Sequence, residues 1–379
     1  MQNIIKSNIF KSWWRIIDRQ TILALLVLVI FSLMLVTTAS PAVANRIGLT
    51  DNYFAIRHIV FLCLAAILIF AFSSLNKRWI RRFAIAGFFL SLIMLVLVKF
   101  YGFEVKGATR WINVGGFSYQ PSEFIKPFFA VLTGWILSLQ YHEDFPSFKV
   151  CFMLFLVVAA LLIVQPDFGM LVMISAVFGI QLFVAGLPFV WIFIAIFSSI
   201  SGIIGAYILL PHVALRINNF LDPEGGANYQ VAKSLEAFES GGLYGRGPGE
   251  GQVKQYLPDS HADFIFSVAG EEFGAVICIM IIIVFAYIVI RTLINLLSED
   301  DKFTQIAAIG IISQFGLQAI INIGVTLNLL PTKGMTLPLI SYGGSSILAV
   351  ALSLGMLLGL TKRKTSLVKY RMQDQGVIW

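Results

Sequence analysis

Long apolar stretches alternate with short polar ones over most of this chain. A membrane-spanning helix needs about 20 predominantly apolar residues, with a range of about 17–25. Apolar windows of roughly that length lie near residues 21–39, 58–75, 83–100, 124–140, 149–164, 170–187, 189–210, 264–297, 304–329 and 346–361. The pattern predicts an all-α polytopic membrane protein with about ten transmembrane helices.

Composition agrees with this pattern. Hydrophobic residues make up 58% of the 379 residues and charged residues only 12%, which excludes a soluble globular domain. The net charge of +7 comes largely from basic residues beside the apolar windows, so lipid head groups and topology explain it better than nucleic acid does. Cys63, Cys151 and Cys278 lie inside apolar runs and indicate neither a disulfide framework nor a metal site.

The N-terminus resembles a signal peptide at first sight. Basic residues precede the first apolar window, and Ala42-Val-Ala44 resembles a cleavage site. The window 21–39 is longer than the apolar region of a usual signal peptide, however, and long enough to span. We therefore expect an N-terminal segment over 1–20, one membrane domain over 21–361 that begins with an uncleaved helix, and a tail over 362–379.

Basic residues next to the spans predict the orientation. The N-terminal segment, the cluster Lys77–Arg82 and the tail residues Lys362–Lys364 alternate correctly if both termini are cytoplasmic. Four segments then face outward, and every unusual polar motif of the chain falls in one of them. They are residues 101–123, 165–169, 211–263 and 330–345.

The segment Tyr256–Phe266, of sequence YLPDSHADFIF, is the most informative of these motifs. It places His261 and Asp263 at the edge of a long apolar helix. A partly desolvated carboxylate at the water–lipid boundary has a raised pKa, as a general base requires. The alternative is a structural helix N-cap, which aspartate also provides well.

A second motif, from Gly107 to Lys126, begins as a turn-rich loop and ends inside a helix. Pro121 and Glu123 suit the first turn of that helix. Glu123 and Lys126 are three residues apart and therefore share a helix face, where they can pair. An ion pair is costly to place in lipid, so the motif also suggests a role in lining a wet cavity.

Three further segments break the apolar pattern. Residues 165–169, of sequence QPDFG, predict a tight turn. The glycine-rich stretch 241–251 lacks the lysine of a phosphate-binding P-loop and suggests a flexible loop that moves with substrate. Residues 330–346 have irregular backbone at membrane depth, which is tolerated only inside protein or against a water-filled cavity. Lys333 within them suits a phosphate contact, although a purely structural re-entrant turn explains the same residues.

Cations are unusually frequent in the outward segments, against the positive-inside bias. Either local carboxylates pair with them or they serve an anionic ligand, for which a diphosphate at a lipid surface is the obvious candidate. These cations are Lys106, Arg110, Arg216, Lys233, Arg246, Lys254 and Lys333, and Lys126 lies just inside the next helix.

The motifs PSEFIK, QPDFG, YLPDSHADFIF with GEEFG, and LPTKGMTLPLISYGGSS occur in the order and spacing of the SEDS family (shape, elongation, division and sporulation proteins). The chain resembles that family over the whole ten-helix region. Its triplet Thr332-Lys333-Gly334 is more similar to the division branch than to the elongation branch. The division branch often has an acid before Tyr-Leu-Pro, where this chain has Gln255.

The resemblance implies a peptidoglycan glycosyltransferase of the bacterial inner membrane that polymerises lipid II at the division septum. The outward segments, including the large loop 211–263 between helices 7 and 8, would then be periplasmic. Asp263 corresponds to the family's essential aspartate. Arg110, Glu123, Lys126, Arg216, His261 and Lys333 are the candidate substrate-binding residues.

The resemblance also implies partners. They are the lipid II substrate, a class B penicillin-binding protein that acts as transpeptidase, and other division proteins. Mg²⁺ or Mn²⁺ would assist a diphosphate leaving group, although the sequence contains no closed ligand set. A lipid II flippase without chemistry is the alternative function. A scaffold that only recruits the transpeptidase would leave the outward polar motifs unexplained.

Overall fold

The computed structural model describes residues 11–105, 108–114, 117–141, 144–209, 211–221, 229–331 and 334–362, and these ranges are mostly helical. The helices are α1 (Arg19–Arg46), α2 (Tyr53–Ser74), α3 (Lys77–Tyr101), α4 (Pro121–Leu139), α5 (Ser147–Val164), α6 (Phe168–Val184), α7 (Phe189–Leu209), α8 (Pro211–Leu221), α9 (Tyr229–Gly241), α10 (Ile265–Leu297), α11 (Lys302–Thr326) and α12 (Gly344–Leu360). Three short strands lie between α3 and α4: β1 (Phe103–Val105), β2 (Ala108–Val114) and β3 (Phe117–Tyr119).

Every apolar window of the sequence coincides with a helix. Among the described residues, seven helices are long and apolar enough to cross a membrane, and α6 and α12 are apolar but only 17 residues long. The least secure division of the pattern, between the sixth and seventh windows, is a real break: α6 ends at Val184, and Gly186 has a φ of 86°. The predicted polytopic helical fold is confirmed, whereas the count of ten spans stays a prediction.

The outward segments contain more regular structure than the sequence predicts. Residues 108–119 were expected to form a turn-rich loop, but β1, β2 and β3 form an antiparallel sheet in that order. Ile112 lies opposite Tyr119, and Glu104 lies opposite Thr109. Apolar, β-branched and aromatic residues of β2 favour a strand, but strands this short leave little periodicity to detect. The loop 211–263 likewise contains the helices α8 and α9.

The helices α4, α11 and α12 form the centre of the bundle, and almost every residue of α12 is buried. The most apolar part of α4 is 78% buried and that of α11 is 61% buried, whereas α2, α3, α5 and α10 reach only 28%. A Cβ atom on Gly134 of α4 would lie 2.6 Å from the Cα atom of Ala307 in α11, so the two backbones touch. Small residues permit such close approach where lipid supplies no hydrophobic driving force. Polar side chains on α4 and α11 are therefore shielded from lipid.

The helix α10 is broken near its N-terminal end. Gly274 has a φ of 78° and a ψ of 179°, which separates a short outer part from the long apolar part. Glu271, in the outer part, is fully buried and accepts hydrogen bonds from the backbone N–H groups of Gln252, Val253 and Lys254 at 2.6–2.9 Å. The Lys254 ammonium donates to Glu272. Glu271 and Glu272 thus hold residues 252–254 against α10.

The glycine-rich stretch 241–251, which the sequence suggests is a flexible loop, is hydrogen-bonded to α10 beside the same break. The N–H groups of Arg246 and Gly247 donate to the carbonyl oxygens of Glu271 and Glu272, both at 3.0 Å. A Cβ atom on Gly245 would lie 2.2 Å from the Glu272 carbonyl oxygen. Gly241 and Gly245 serve close backbone contact here, because a side chain at either position would separate the two segments.

An ion pair lies near the C-terminal end of α10. Asp18, the N-cap of α1, accepts two hydrogen bonds of 2.8 Å from Arg291. Burial raises the pKa of Asp18, but the hydrogen bonds from Arg291 and Thr21 outweigh burial and hold the pKa below its ordinary value. The pair joins the first helix to α10.

Replacement of Glu271 tests the loop attachment. Glu271→Ala leaves three backbone N–H groups without their acceptor, those of Val253 and Lys254 buried, and each buried unpaired group costs about 1–3 kcal/mol. We expect a marked fall in the melting temperature of the purified protein, and a smaller fall for Glu271→Gln, which keeps one acceptor oxygen. Glu236→Ala is the control, since its exposed pair with Lys233 contributes little. Equal melting temperatures for all three variants would contradict this role of Glu271.

Candidate active site around Asp263

Asp263 lies in a tight turn that precedes α10. The N–H groups of Ala262 and Phe264 donate to the Asp259 carbonyl oxygen at 2.9 and 3.4 Å. The helix begins at Ile265, and its N-cap residue is Phe264, which makes no side-chain capping bond. Asp263 therefore lies one residue before the cap position. The N-cap alternative does not describe this carboxylate.

Hydrogen bonds to three successive carbonyl groups hold the backbone of the Asp263 turn. The Tyr342 N–H donates to the His261 carbonyl at 2.9 Å, and the Ser341 hydroxyl donates to the Ala262 carbonyl at 2.6 Å. The Asn322 side-chain amide donates to the Asp263 carbonyl at 2.8 Å. Two of these donors belong to residues 334–343, called the 334–343 loop below. The position of Asp263 is thus set through its main chain.

The 334–343 loop also contacts the Asp263 carboxylate. A Cβ atom added to Gly334 would lie 2.7 Å from Asp263 Oδ2, so the carboxylate rests against the bare glycine backbone. Most of the loop is enclosed by protein, with Met335, Leu337, Leu339 and Ile340 at most 4% exposed. This burial agrees with the sequence argument that irregular backbone at this depth must lie inside protein. Asp263 itself is only partly buried.

His261 packs under this turn and is buried. Its ring centroid lies 4.3 Å from that of Phe54 and 5.1 Å from that of Tyr342. Burial raises the pKa of Tyr342, and the Arg57 hydrogen bond offsets only part of the rise, so the phenol is neutral. His261 thus supports the Asp263 turn by packing its ring against Phe54 and Tyr342.

Glu123 and Lys126 pair as their spacing predicts. Lys126 Nζ lies 2.7 Å from Glu123 Oε2 and donates to Gln318 Oε1 at 3.0 Å. Gln318 Nε2 then donates to the Thr336 carbonyl at 3.1 Å. This buried chain of polar groups connects α4 through α11 to the 334–343 loop. The Lys126 side chain is 1% exposed, so the ammonium is enclosed by protein partners.

Arg110 lies elsewhere, on β2. It donates to the carbonyl oxygens of Gln165 and Pro166, and its guanidinium lies 3.8 Å from Asp167 Oδ1. Its described contacts therefore hold the predicted 165–169 turn and do not reach the Asp263 turn. The side chain of Arg216, whose backbone lies in α8, and the whole of Lys333 are outside the described residues.

Local pairing accounts for several of the outward cations. Arg110, Lys126, Lys233 and Lys254 each have a carboxylate partner, namely Asp167, Glu123, Glu236 and Glu272. Among the described cations, the pairing alternative explains these four without an anionic ligand.

A family of known proteins matches almost the whole chain. The family model of the FtsW/RodA/SpoVE cell cycle proteins matches residues 18–366. The chain belongs to this family. The SEDS resemblance seen in the motifs is thereby confirmed.

Curated relatives of this FtsW/RodA/SpoVE member agree in name. It is 42% identical over 354 residues to the probable peptidoglycan glycosyltransferase FtsW of Caulobacter vibrioides, which covers 93% of this chain and 91% of the relative. It is 35% identical over 336 residues to the protein of the same name from Escherichia coli O157:H7, covering 86% and 81%. The enzyme class and the division branch inferred from the motifs are those of these relatives.

Solved structures share the fold. One, described as "Structural coordination of polymerization and crosslinking by a peptidoglycan synthase complex", gives a TM-score of 0.77 at 26% identity over 91% of this chain and 97% of that one. The rod shape determining protein RodA of Thermus thermophilus gives 0.69 at 25% identity, covering 91% and 96%. The polytopic fold of this FtsW/RodA/SpoVE member is therefore that of its solved relatives.

A divalent cation would have few protein ligands in this family member. Among the residues that the structure describes, no three histidine, cysteine or carboxylate side chains form a group suited to a metal. Mg²⁺ and Mn²⁺ commonly bind through one or two carboxylates together with phosphate oxygens and water. The partly exposed Asp263 fits such a partial ligand set.

Sequence reasoning missed the residues that position Asp263 in this FtsW/RodA/SpoVE member. They are Asn322, Ser341 and Gly334, and Gln318 holds the neighbouring 334–343 loop through Thr336. A signal was available for the two amides: Gln314, Gln318 and Asn322 recur at intervals of four within the otherwise apolar α11, which puts them on one helix face. Polar stripes of this kind inside a membrane span mark functional positions.

Gly334→Ala tests the contact with the Asp263 carboxylate. The new methyl group would displace the carboxylate, and a shift of about 1 Å at a reacting group can lower a rate about 10²-fold. We expect loss of glycan synthesis by the purified variant at nearly unchanged melting temperature, since only a flexible side chain must move. Gly179→Ala, with open space around its Cβ position, is the matched control. Wild-type activity of Gly334→Ala would contradict the importance of this contact.

Proposed function

We propose that this chain polymerises lipid II into β-1,4-linked glycan strands, with Asp263 as the general base. One observation carries the proposal: a partly exposed carboxylate whose backbone is held by three hydrogen bonds and whose side chain rests against Gly334. A rigidly held base within reach of water and lipid is what glycosyl transfer from a lipid-linked donor requires.

In the proposed reaction, Asp263 removes the proton from the 4-hydroxyl of the acceptor sugar. The hydroxyl oxygen attacks the anomeric carbon of the donor with inversion and forms the new glycosidic bond. The bond between that carbon and the diphosphate oxygen breaks, and polyprenyl diphosphate leaves with the electron pair. The proton remains on Asp263 until solvent takes it. Each turnover thus lengthens the glycan by one lipid II unit.

Developing charge on the diphosphate requires cationic groups. Lys333 is the principal candidate, because it directly precedes Gly334, which contacts the Asp263 carboxylate. Arg216 is proposed as a second phosphate ligand. Lys126 already has a carboxylate partner, so we assign it, with Glu123 and His261, to shaping the site. Arg110 is paired with Asp167, and we assign it to holding the 165–169 turn. A divalent cation bound through Asp263 would neutralise further diphosphate charge.

The cellular setting follows from the relatives' names and from the basic flanks. We propose that the 21–361 membrane domain lies in the inner membrane at the division septum, with the termini cytoplasmic and the Asp263 turn periplasmic. A class B penicillin-binding protein is the proposed partner, by analogy with the synthase complex of the solved relative. Other division proteins would recruit the pair to the septum.

Asp263→Asn tests the proposed base. Asparagine keeps the size of the side chain but cannot accept a proton at neutral pH. General-base catalysis contributes on the order of 10²–10⁴ in rate, and we expect purified Asp263→Asn to lose glycan polymerisation by a factor in that range. Membrane insertion, lipid II binding and association with the transpeptidase should persist.

Asp259→Asn is the matched control, since it makes the same chemical change within the same turn, and asparagine tolerates the φ of 53° found there. Its polymerisation rate should stay near that of the wild type. A flippase needs no proton abstraction. The flippase alternative would be supported if Asp263→Asn transported lipid II at the wild-type rate and none of the proteins, the wild type included, polymerised glycan. Glycan synthesis by Asp263→Asn at the wild-type rate would remove Asp263 as the base.

Labelling of single cysteines in intact cells tests the orientation. In a variant without Cys63, Cys151 and Cys278, we expect Tyr244→Cys to react with a membrane-impermeant maleimide, because Tyr244 is 84% exposed on the proposed outer side. Lys364→Cys should react only after lysis. The opposite pattern would invert the topology and with it the proposed location of the active site.

A further inference from the structure

Asn322 joins the two segments that form the site. It lies on α11, and its side-chain nitrogen donates to the Asp263 carbonyl oxygen at 2.8 Å and to the Met335 carbonyl oxygen at 2.6 Å. One acceptor belongs to the residue proposed as base. The other acceptor belongs to Met335, which follows Gly334. The Asp263 carboxylate rests against Gly334. Asn322 thus adds a link from α11 to the direct bonds that Tyr342 and Ser341 make between the two segments, and it is the link nearest to Asp263 and Gly334.

The orientation of this amide follows from its partners. An asparagine oxygen and nitrogen are often exchanged without notice, but both acceptors here are carbonyl oxygens, which need a donor. Only the NH₂ group can face them. Asn322 is 1% exposed, and its Oδ1 atom has no hydrogen-bond donor among the residues that the structure describes.

A buried amide with an unused acceptor is a poor choice for packing alone, because burial of an unpaired polar atom disfavours folding. The neighbouring amide on the same face, Gln318, ties the Thr336 carbonyl to α11 but makes no described bond to the Asp263 turn. Among the described side chains that lie outside these two segments, Asn322 is the one whose hydrogen bonds reach both the Asp263 turn and the 334–343 loop.

We infer that Asn322 is a positioning residue for catalysis, which holds Asp263 at its working distance from the 334–343 loop. The inference rests on the proposed role of Asp263 as base. Asn322 touches neither sugar nor diphosphate, since it is buried beneath the turn. It acts through the backbone, by preventing the Asp263 turn and the loop from moving apart during transfer.

Gln181 provides a matched control within the same molecule. It is also fully buried, and its side-chain nitrogen also donates to two carbonyl oxygens, those of Ala130 at 2.7 Å and Ile306 at 3.2 Å. It joins α6, α4 and α11 near the end of α6 that lies away from the 165–169 turn. Gln181→Ala therefore removes an equivalent amide clamp without touching the Asp263 turn.

The test compares Asn322→Ala with Gln181→Ala in the purified full-length protein, with lipid II as substrate. Both variants should melt at lower temperature than the wild type. Asn322→Ala should lower kcat about 10²-fold with little change in KM, because misplacement of about 1 Å has effects of this size. Gln181→Ala should leave kcat near the wild-type value. Should Asn322→Ala fail to fold, Asn322→Ser serves, because its hydroxyl can bond within α11.

A double variant separates positioning from general support. If Asn322 acts through Asp263, adding Asn322→Ala to Asp263→Asn should slow the residual rate no further. An additional 10²-fold loss in the double variant, or an unchanged kcat in Asn322→Ala, would overturn the inference. An Asp263→Asn variant with the wild-type rate would instead remove the proposed base. The two failures are thus distinguishable.

Discussion

The absence of water inside a bilayer requires every buried backbone group of this protein to find a partner within the chain. Helices meet this requirement by themselves, and most of the chain is helical for that reason. The Asp263 turn and the 334–343 loop are not helical, so they satisfy each other. Tyr342 and Ser341 donate to the turn, and Asn322 donates to both segments. The same bonds that make irregular backbone tolerable at this depth also hold the catalytic candidate in place.

This requirement explains the arrangement of the bundle. The central helices α4 and α11 carry Lys126, Glu123, Gln318 and Asn322 because only the centre shields such groups from lipid. Each of them bonds to another polar group, and the connections run from α4 to the 334–343 loop. On the outer side, Glu271 performs a related task for the backbone of residues 252–254. Ionic and amide groups here organise the backbone first, and the chemistry depends on that order.

The sequence predicts what depends on local pattern. Apolar periodicity indicates the helices, and the spacing of Glu123 and Lys126 predicts their pairing. Contacts between distant segments leave no such trace. Nothing near Arg110 indicates that its partners lie in the 165–169 turn, and the glycines of 241–251 suggest freedom when they in fact permit close contact with α10. The stripe of Gln314, Gln318 and Asn322 marks one face of α11, but it does not show which segments Asn322 joins, because its two acceptors are backbone atoms far away in the sequence.

The use of main-chain carbonyls to hold the Asp263 turn has a consequence for sequence drift and for inhibitors. Side chains at 261 and 262 can change without removing the acceptors that Tyr342 and Ser341 use, because every residue supplies a carbonyl. Point substitutions in the turn are therefore a poor route to altered geometry. A compound that inserted between the turn and the 334–343 loop would compete for contacts that the protein cannot readily redesign, and resistance to it would have to arise among the donors.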